Sequence, residues 1–224
     1  MGLLRLLLAI AVLIDHSGPL FGLHSVGGDT AVEAFFMISG FYMALILNTK
    51  YNKGDYWLFI TNRLLRLFPI YWLLVLLTLV ASIATYFTFG HSLKLAAYQQ
   101  AAQLSVGTWL LILLANIFIV GQDFMMFLGL DRNGGLHFTN HALQGSQGLP
   151  PLYQFLFVHQ AWSLALEISF YLLAPFLVRR KPAVLLVLCT SSLLLRFYLY
   201  QLGLYHGSWN YRFFPSELVF FLTG

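Results

Sequence analysis

The length of the uncharged runs constrains this chain more than any other feature. Stretches of roughly 20 residues with almost no charge follow one another along the sequence. About 30 Å of hydrocarbon, at about 1.5 Å per helical residue, asks for that length. They run roughly over 3–23, 30–47, 69–89, 109–128, 152–178 and 183–204, and a seventh begins near Phe213. Only 9% of the residues are charged and 59% are hydrophobic, whereas a soluble domain carries about 25% charge. Lipid must therefore cover much of the apolar surface. The expected fold is an all-α polytopic transmembrane helix bundle of about six to seven hydrophobic segments, forming one domain over 1–224.

The formal charge is +4, but the basic residues do not form a nucleic-acid patch. Lys50, Lys53, Arg63 and Arg66, then Arg179, Arg180 and Lys181, cluster at segment ends, as positive-inside topology requires. Nucleic acid is excluded as a partner, and the bilayer is the first partner implied. A lone Cys189 in an apolar run excludes an internal disulfide and a cysteine metal site; no metal is expected. The N-terminal run lacks a small-residue cleavage site and continues as Asp15-His16-Ser17-Gly18-Pro19, so it reads as a retained spanning helix rather than a signal peptide.

Arg63 and Arg66 share one helical face within 56–68, which reads as an interfacial amphipathic helix lying on the bilayer. Placing the basic clusters in the cytoplasm puts the N-terminus inside and 17–29 outside. The stretch 90–154 must then cross an even number of times. Either 109–128 is re-entrant or lies flat, or 93–106 is a second crossing. The Gly/Asn/Gln-rich stretch 129–148 is a loop with turn chemistry. The final run offers only about 12 residues before Gly224, too few to span, so the sequence reads as lacking C-terminal helices.

Ionisable residues inside lipid-facing segments are functional suspects by default. Arg5 and His16 share the first segment, with ten residues between them, so His16 lies about 16 Å further along the axis. Glu167 lies 12 positions before Arg179, about 18 Å from that boundary. His16 and Glu167 thus come to a similar depth, where a carboxylate can pair with an imidazole, fix its tautomer and raise its basicity. Glu33 opens the second segment slightly nearer the exterior. Asp15 points about 100° away from His16 on a helix and reads as a helix-end polar residue. His24, His91, His137, His141, His159 and His206 sit near segment ends or loops and read as satisfied histidines. Arg196 is expected to snorkel to the outer interface. Arg212 and Glu217 stand at the start of the last run.

Four stretches together resemble the integral-membrane acyltransferase 3 family. Arg5-x10-His16 resembles its basic-x10-His signature. The stretch GDTAVEAFFMISGF, from Gly28 through Glu33, Ser39 and Gly40 to Phe41, is similar to its G-x-x-x-V-[DE]-x-F-F-x-I-S-G-F pattern. NRLLRLFPIYW, from Asn62 to Trp72, is similar to R-x-x-R-[IL]-x-P-x-Y-W, and WSLALEISFY, from Trp162 to Tyr171, is similar to W-[ST]-L-x-x-E-x-x-F-Y. The resemblance covers nearly the whole chain. Family members usually have about ten helices, which implies that three or four are absent here.

The resemblance implies an enzyme of the bacterial cytoplasmic membrane. It would move an acyl group, acetyl by family default, from cytoplasmic acyl-CoA to a hydroxyl of an extracytoplasmic carbohydrate or lipid-linked acceptor. It implies that Arg63 and Arg66 meet the donor phosphates, that Arg5 stabilises donor charge or helix packing, and that His16 is the general base, oriented by Glu167. An acyl-imidazole is the alternative chemistry. Ser39 with Gly40 would permit close helix approach, while Glu33, Trp162 and Arg212 are further acceptor or structural candidates. A secondary transporter or flippase of polysaccharide precursors, using the same ions as a relay, and an inactive scaffold are the competing readings; no internal repeat favours the transporter.

Overall fold

A computed structural model of the chain describes residues 2–18, 26–99, 104–145, 149–204 and 208–224. The chain is an all-α membrane helix bundle with one small hairpin. Its elements are α1 (Gly2–Ser17), α2 (Gly28–Thr49), α3 (Tyr56–Phe89), α4 (Leu93–Gln99), α5 (Val106–Ile117), β1 (Leu128–Leu130), β2 (Leu136–Phe138), α6 (Trp162–Leu177), α7 (Pro182–Gln201), α8 (Ser208–Tyr211) and α9 (Phe214–Thr223). Helices α2, α3 and α7, and the stretch His159–Leu177 containing α6, are long and apolar enough to cross a membrane. They leave large apolar side chains such as Leu74, Leu76, Leu186 and Val187 exposed. That surface fits hydrocarbon and would be untenable in water.

Two expectations change. The stretch 56–68 is not a separate interfacial helix, because α3 runs unbroken for 34 residues through Pro69. That proline forfeits one backbone bond, to the carbonyl of Leu65, which membrane helices tolerate. The second concerns 90–154, which the sequence left open: 109–128, re-entrant or flat in one of its readings, holds no helix of spanning length. Helix α5 stops after 12 residues at Ile117, at about 18 Å of length. In 93–106, α4 has 7 residues, and 100–103 lie outside the described residues.

The chain packs as two compact units. The first contains α1, α2, α6 from Phe170 onward, α7 and α9. Here α2 packs on α1 and α9, and α9 also packs on α7. Phe221 of α9 stacks between Phe36 and Phe170, with centroids 4.5 and 4.4 Å away. Gly40 is what lets α9 come so close. A Cβ there would lie 1.9 Å from the Phe221 carbonyl oxygen. A carbonyl in the last turn of α2 and one just beyond the helix meet a cation: the Arg179 guanidinium donates to Leu47 O at 2.5 Å and Tyr51 O at 2.6 Å. This both caps and complements the helix dipole.

The second unit contains α3 from Trp57 onward, α4, α5, the hairpin and α6 up to Ser169. Its core joins Tyr71, Ile119, Ala161, Ala165 and Ile168, with Leu64, Leu67, Phe68 and Val75 packed against it. The spacing of 64, 67, 68, 71 and 75 is one helical stripe. Where the sequence reads as a loop, an antiparallel hairpin over 128–138 pairs Leu128 with Phe138 and Leu130 with Leu136. Asp131 Oδ1 accepts from the N–H groups of Asn133 and Gly135, both at 2.8 Å. Gly134 takes φ 69° in the turn, a conformation glycine adopts at no steric cost.

Candidate functional site: a histidine and its charged neighbours in one unit, paired arginines in the other

In the first unit, α1 and α2 lie antiparallel. Asp15 touches Gly28 at one end, where a Cβ would meet its Oδ2 at 2.7 Å. Arg5 reaches α2 at the other end. Its Nη2 donates to Ser39 Oγ at 3.3 Å and its guanidinium stacks over the Tyr42 ring at 4.8 Å. Arg5 and Ser39, separate candidates in the sequence, are therefore direct partners.

His16 is exposed near the C-terminal end of α1. Its Nδ1 lies 2.8 Å from Val12 O. A carbonyl oxygen only accepts, so this hydrogen bond needs a proton on Nδ1, and whenever the ring is uncharged the lone pair lies on Nε2. The helix itself thus supplies a partner for Nδ1. A histidine bonding the carbonyl four residues back was readable from helix geometry alone.

Charged groups gather around this end of the unit. Asp29 lies within electrostatic range of Arg212, Asp15, His16 and Arg196. Arg212 also stacks over Tyr211 at 4.7 Å. Asp15, expected as a mere helix-end residue, is thus part of the electrostatic surroundings of Asp29. Arg196 does not simply snorkel: its Nη2 donates to Glu33 Oε1, and its Nη1 donates to Glu217 Oε1 at 2.8 Å. The Glu217 side chain is fully buried. One guanidinium thereby ties α2, α7 and α9 together. The meeting of three distant segments was not legible in the sequence.

In the second unit, Arg63 is half-buried and Arg66 exposed, three positions apart on α3. The Arg63 guanidinium lies 5.5 Å from the Phe59 ring centre. Trp162 is buried at the start of α6, and Glu167 is half-buried five residues later. Both belong to the same unit as the arginines. His159 accepts from Lys94 Nζ at 2.9 Å. His91 and His141 are exposed, as is His137 on β2, and His24 and His206 lie outside the described residues.

A polar network that the sequence did not reveal ends α5. Tyr71 Oη donates to Asn116 O at 2.8 Å and accepts from Gln122 Nε2 at 2.7 Å. Gln122 also donates to Ala115 O, and Trp72 Nε1 to Ile117 O. The last carbonyls of α5 therefore find side-chain donors. Nearby Asp123 is buried, and burial pushes its carboxyl up to about 6.

A family model described as an acyltransferase domain matches residues 1–224. The chain belongs to the acyltransferase 3 family. No curated relative and no solved structure matches it. An acyltransferase 3 protein with several long apolar helices is a multi-pass integral membrane protein. Among the described residues no group of three or more His, Cys, Asp or Glu is placed to hold a metal ion.

Proposed function

We propose that this acyltransferase 3 protein moves an acyl group, acetyl by family default, from cytoplasmic acyl-CoA to a hydroxyl of an extracytoplasmic carbohydrate or lipid-linked acceptor, with His16 as general base. The observation that carries the reading is the bond from His16 Nδ1 to Val12 O. It leaves Nε2 as an accessible base on an exposed ring. In the transfer, Nε2 takes the acceptor hydroxyl proton as the oxygen attacks the thioester carbonyl. The C–S bond then breaks, and the imidazolium returns the proton to the leaving thiolate. Val12 O already holds Nδ1, so the base does not depend on a carboxylate to set its tautomer. Arg63 and Arg66 are assigned to the donor phosphates, since guanidinium forks match phosphate geometry. Arg5, engaged with Ser39 and Tyr42, is assigned to holding α1 on α2.

The test uses the protein reconstituted in vesicles with radiolabelled acetyl-CoA and a carbohydrate acceptor. His16→Ala is expected to reduce transfer at least about 100-fold, the usual worth of a general base, at unchanged membrane insertion. Wild-type turnover by that variant would refute the assignment.

A further inference from the structure

A groove of about 560 Å³ runs along the C-terminal part of α3 and opens beside α4. Its floor is apolar, with Leu77, Ala81 and Phe89. Two of the four hydroxyls that line it are spent on their own helix: Ser82 Oγ donates to Thr78 O at 2.6 Å and Thr85 Oγ1 to Ser82 O at 2.9 Å. Hydroxyls bonded in this way are tolerated against hydrocarbon. From Leu77 to Phe89 the groove follows α3 for about 18 Å, close to one leaflet's share of a roughly 30 Å hydrocarbon layer.

Its mouth carries an amine and an imidazole. Lys94 and His91 line it, and no carboxylate does. Lys94 gives one N–H to His159. Among the described residues no acidic group pairs with it. Burial of the ammonium favours loss of its charge, so an anion at the mouth would restore the charged form.

We infer that this groove holds an anionic phospholipid of the bilayer, one acyl chain along α3 and the phosphate on the Lys94 ammonium. The ligand follows from the joined chemistry: an apolar slot one leaflet long ending at an ammonium without a carboxylate partner. The inference is independent of the transfer chemistry proposed above.

The test is lipid retention by the full chain in nanodiscs of phosphatidylcholine and phosphatidylglycerol, read by native mass spectrometry. Wild type is expected to keep phosphatidylglycerol about fivefold over its bulk ratio, the worth of one lysine at an anionic surface. Lys94→Ala is expected to lose that preference and Lys94→Arg to keep it. Ala81→Trp, which fills the groove and leaves the cation intact, is expected to lower retention of either lipid. Equal phosphatidylglycerol preference in wild type and Lys94→Ala would overturn the inference. So would displacement of phosphatidylglycerol by a polyprenyl phosphate at equal concentration, which would make the groove an acceptor site instead.

Discussion

At the scale of single residues, Arg196 shows how position alone misleads. About 22 Å into its helix by the rise per residue, it looks free to stretch toward water. It is instead held by Glu33 and Glu217. Glu33 stands in a recognisable family stretch, but the partner that fixes it is 163 positions away. No periodicity carries that information. His16 is the opposite case, because its Nδ1 partner, Val12, lies four residues away on the same helix. The arithmetic of the triad leads to a prediction. Removing the guanidinium strands the buried Glu217 carboxylate, and breaking such a pair costs about 3–5 kcal/mol. Arg196→Ala should lower the melting temperature of the detergent-solubilised protein substantially, and adding Glu217→Gln should recover part of the loss. Unchanged melting of Arg196→Ala would show that the triad contributes nothing to stability.

At the scale of elements, hydrophobic run length located α2, the later part of α3, and α7 closely, because these helices meet mainly hydrocarbon and their composition reports it. It left 109–128 undecided. There buried Ile112, Ile119 and Met125 alternate with exposed Leu110, Leu113 and Val120, and α5 stops at Ile117, where Tyr71, Trp72 and Gln122 cap its last carbonyls. An apolar run reports its composition but not where a capped helix ends. The Tyr-Trp pair closing the paired-arginine stretch thus has a structural task of its own. The length of α3 bears on where its arginines can stand. Its 34 residues extend about 51 Å, against about 30 Å of hydrocarbon. The surplus leaves room for the turns before Pro69, which carry Arg63 and Arg66, to stand in the polar interface where a phosphorylated donor is available. The Arg63→Ala/Arg66→Ala double variant should therefore raise the apparent KM for acyl-CoA about tenfold or more, as loss of charge-assisted phosphate contacts does, and leave kcat much less affected. A donor KM equal to wild type would remove the phosphate assignment.

At the scale of the whole molecule, the decisive question is how many times the chain crosses the bilayer. The sequence demanded an even number of crossings between 90 and 154 and offered two candidates. Neither α4, with 7 residues, nor α5, with 12, is long enough. Among the described residues of 90–158 no helix has spanning length, and zero crossings would satisfy the parity. If 50–55 and 179–181 face the cytoplasm, as positive-inside topology expects of their basic residues, the expectation to test is that the hairpin faces outward. Cys189 is the single cysteine, which makes the arrangement directly measurable. In a Cys189→Ser background, Asn133→Cys at the hairpin turn should react with a membrane-impermeant maleimide on intact cells. Lys53→Cys and Lys181→Cys should react only after permeabilisation. Labelling of Asn133→Cys that needs permeabilisation, with Lys53→Cys behaving alike, would put both on one side. Helix α3 would then fail to cross, and a donor site and an acceptor site on opposite faces of the membrane would no longer follow from this chain.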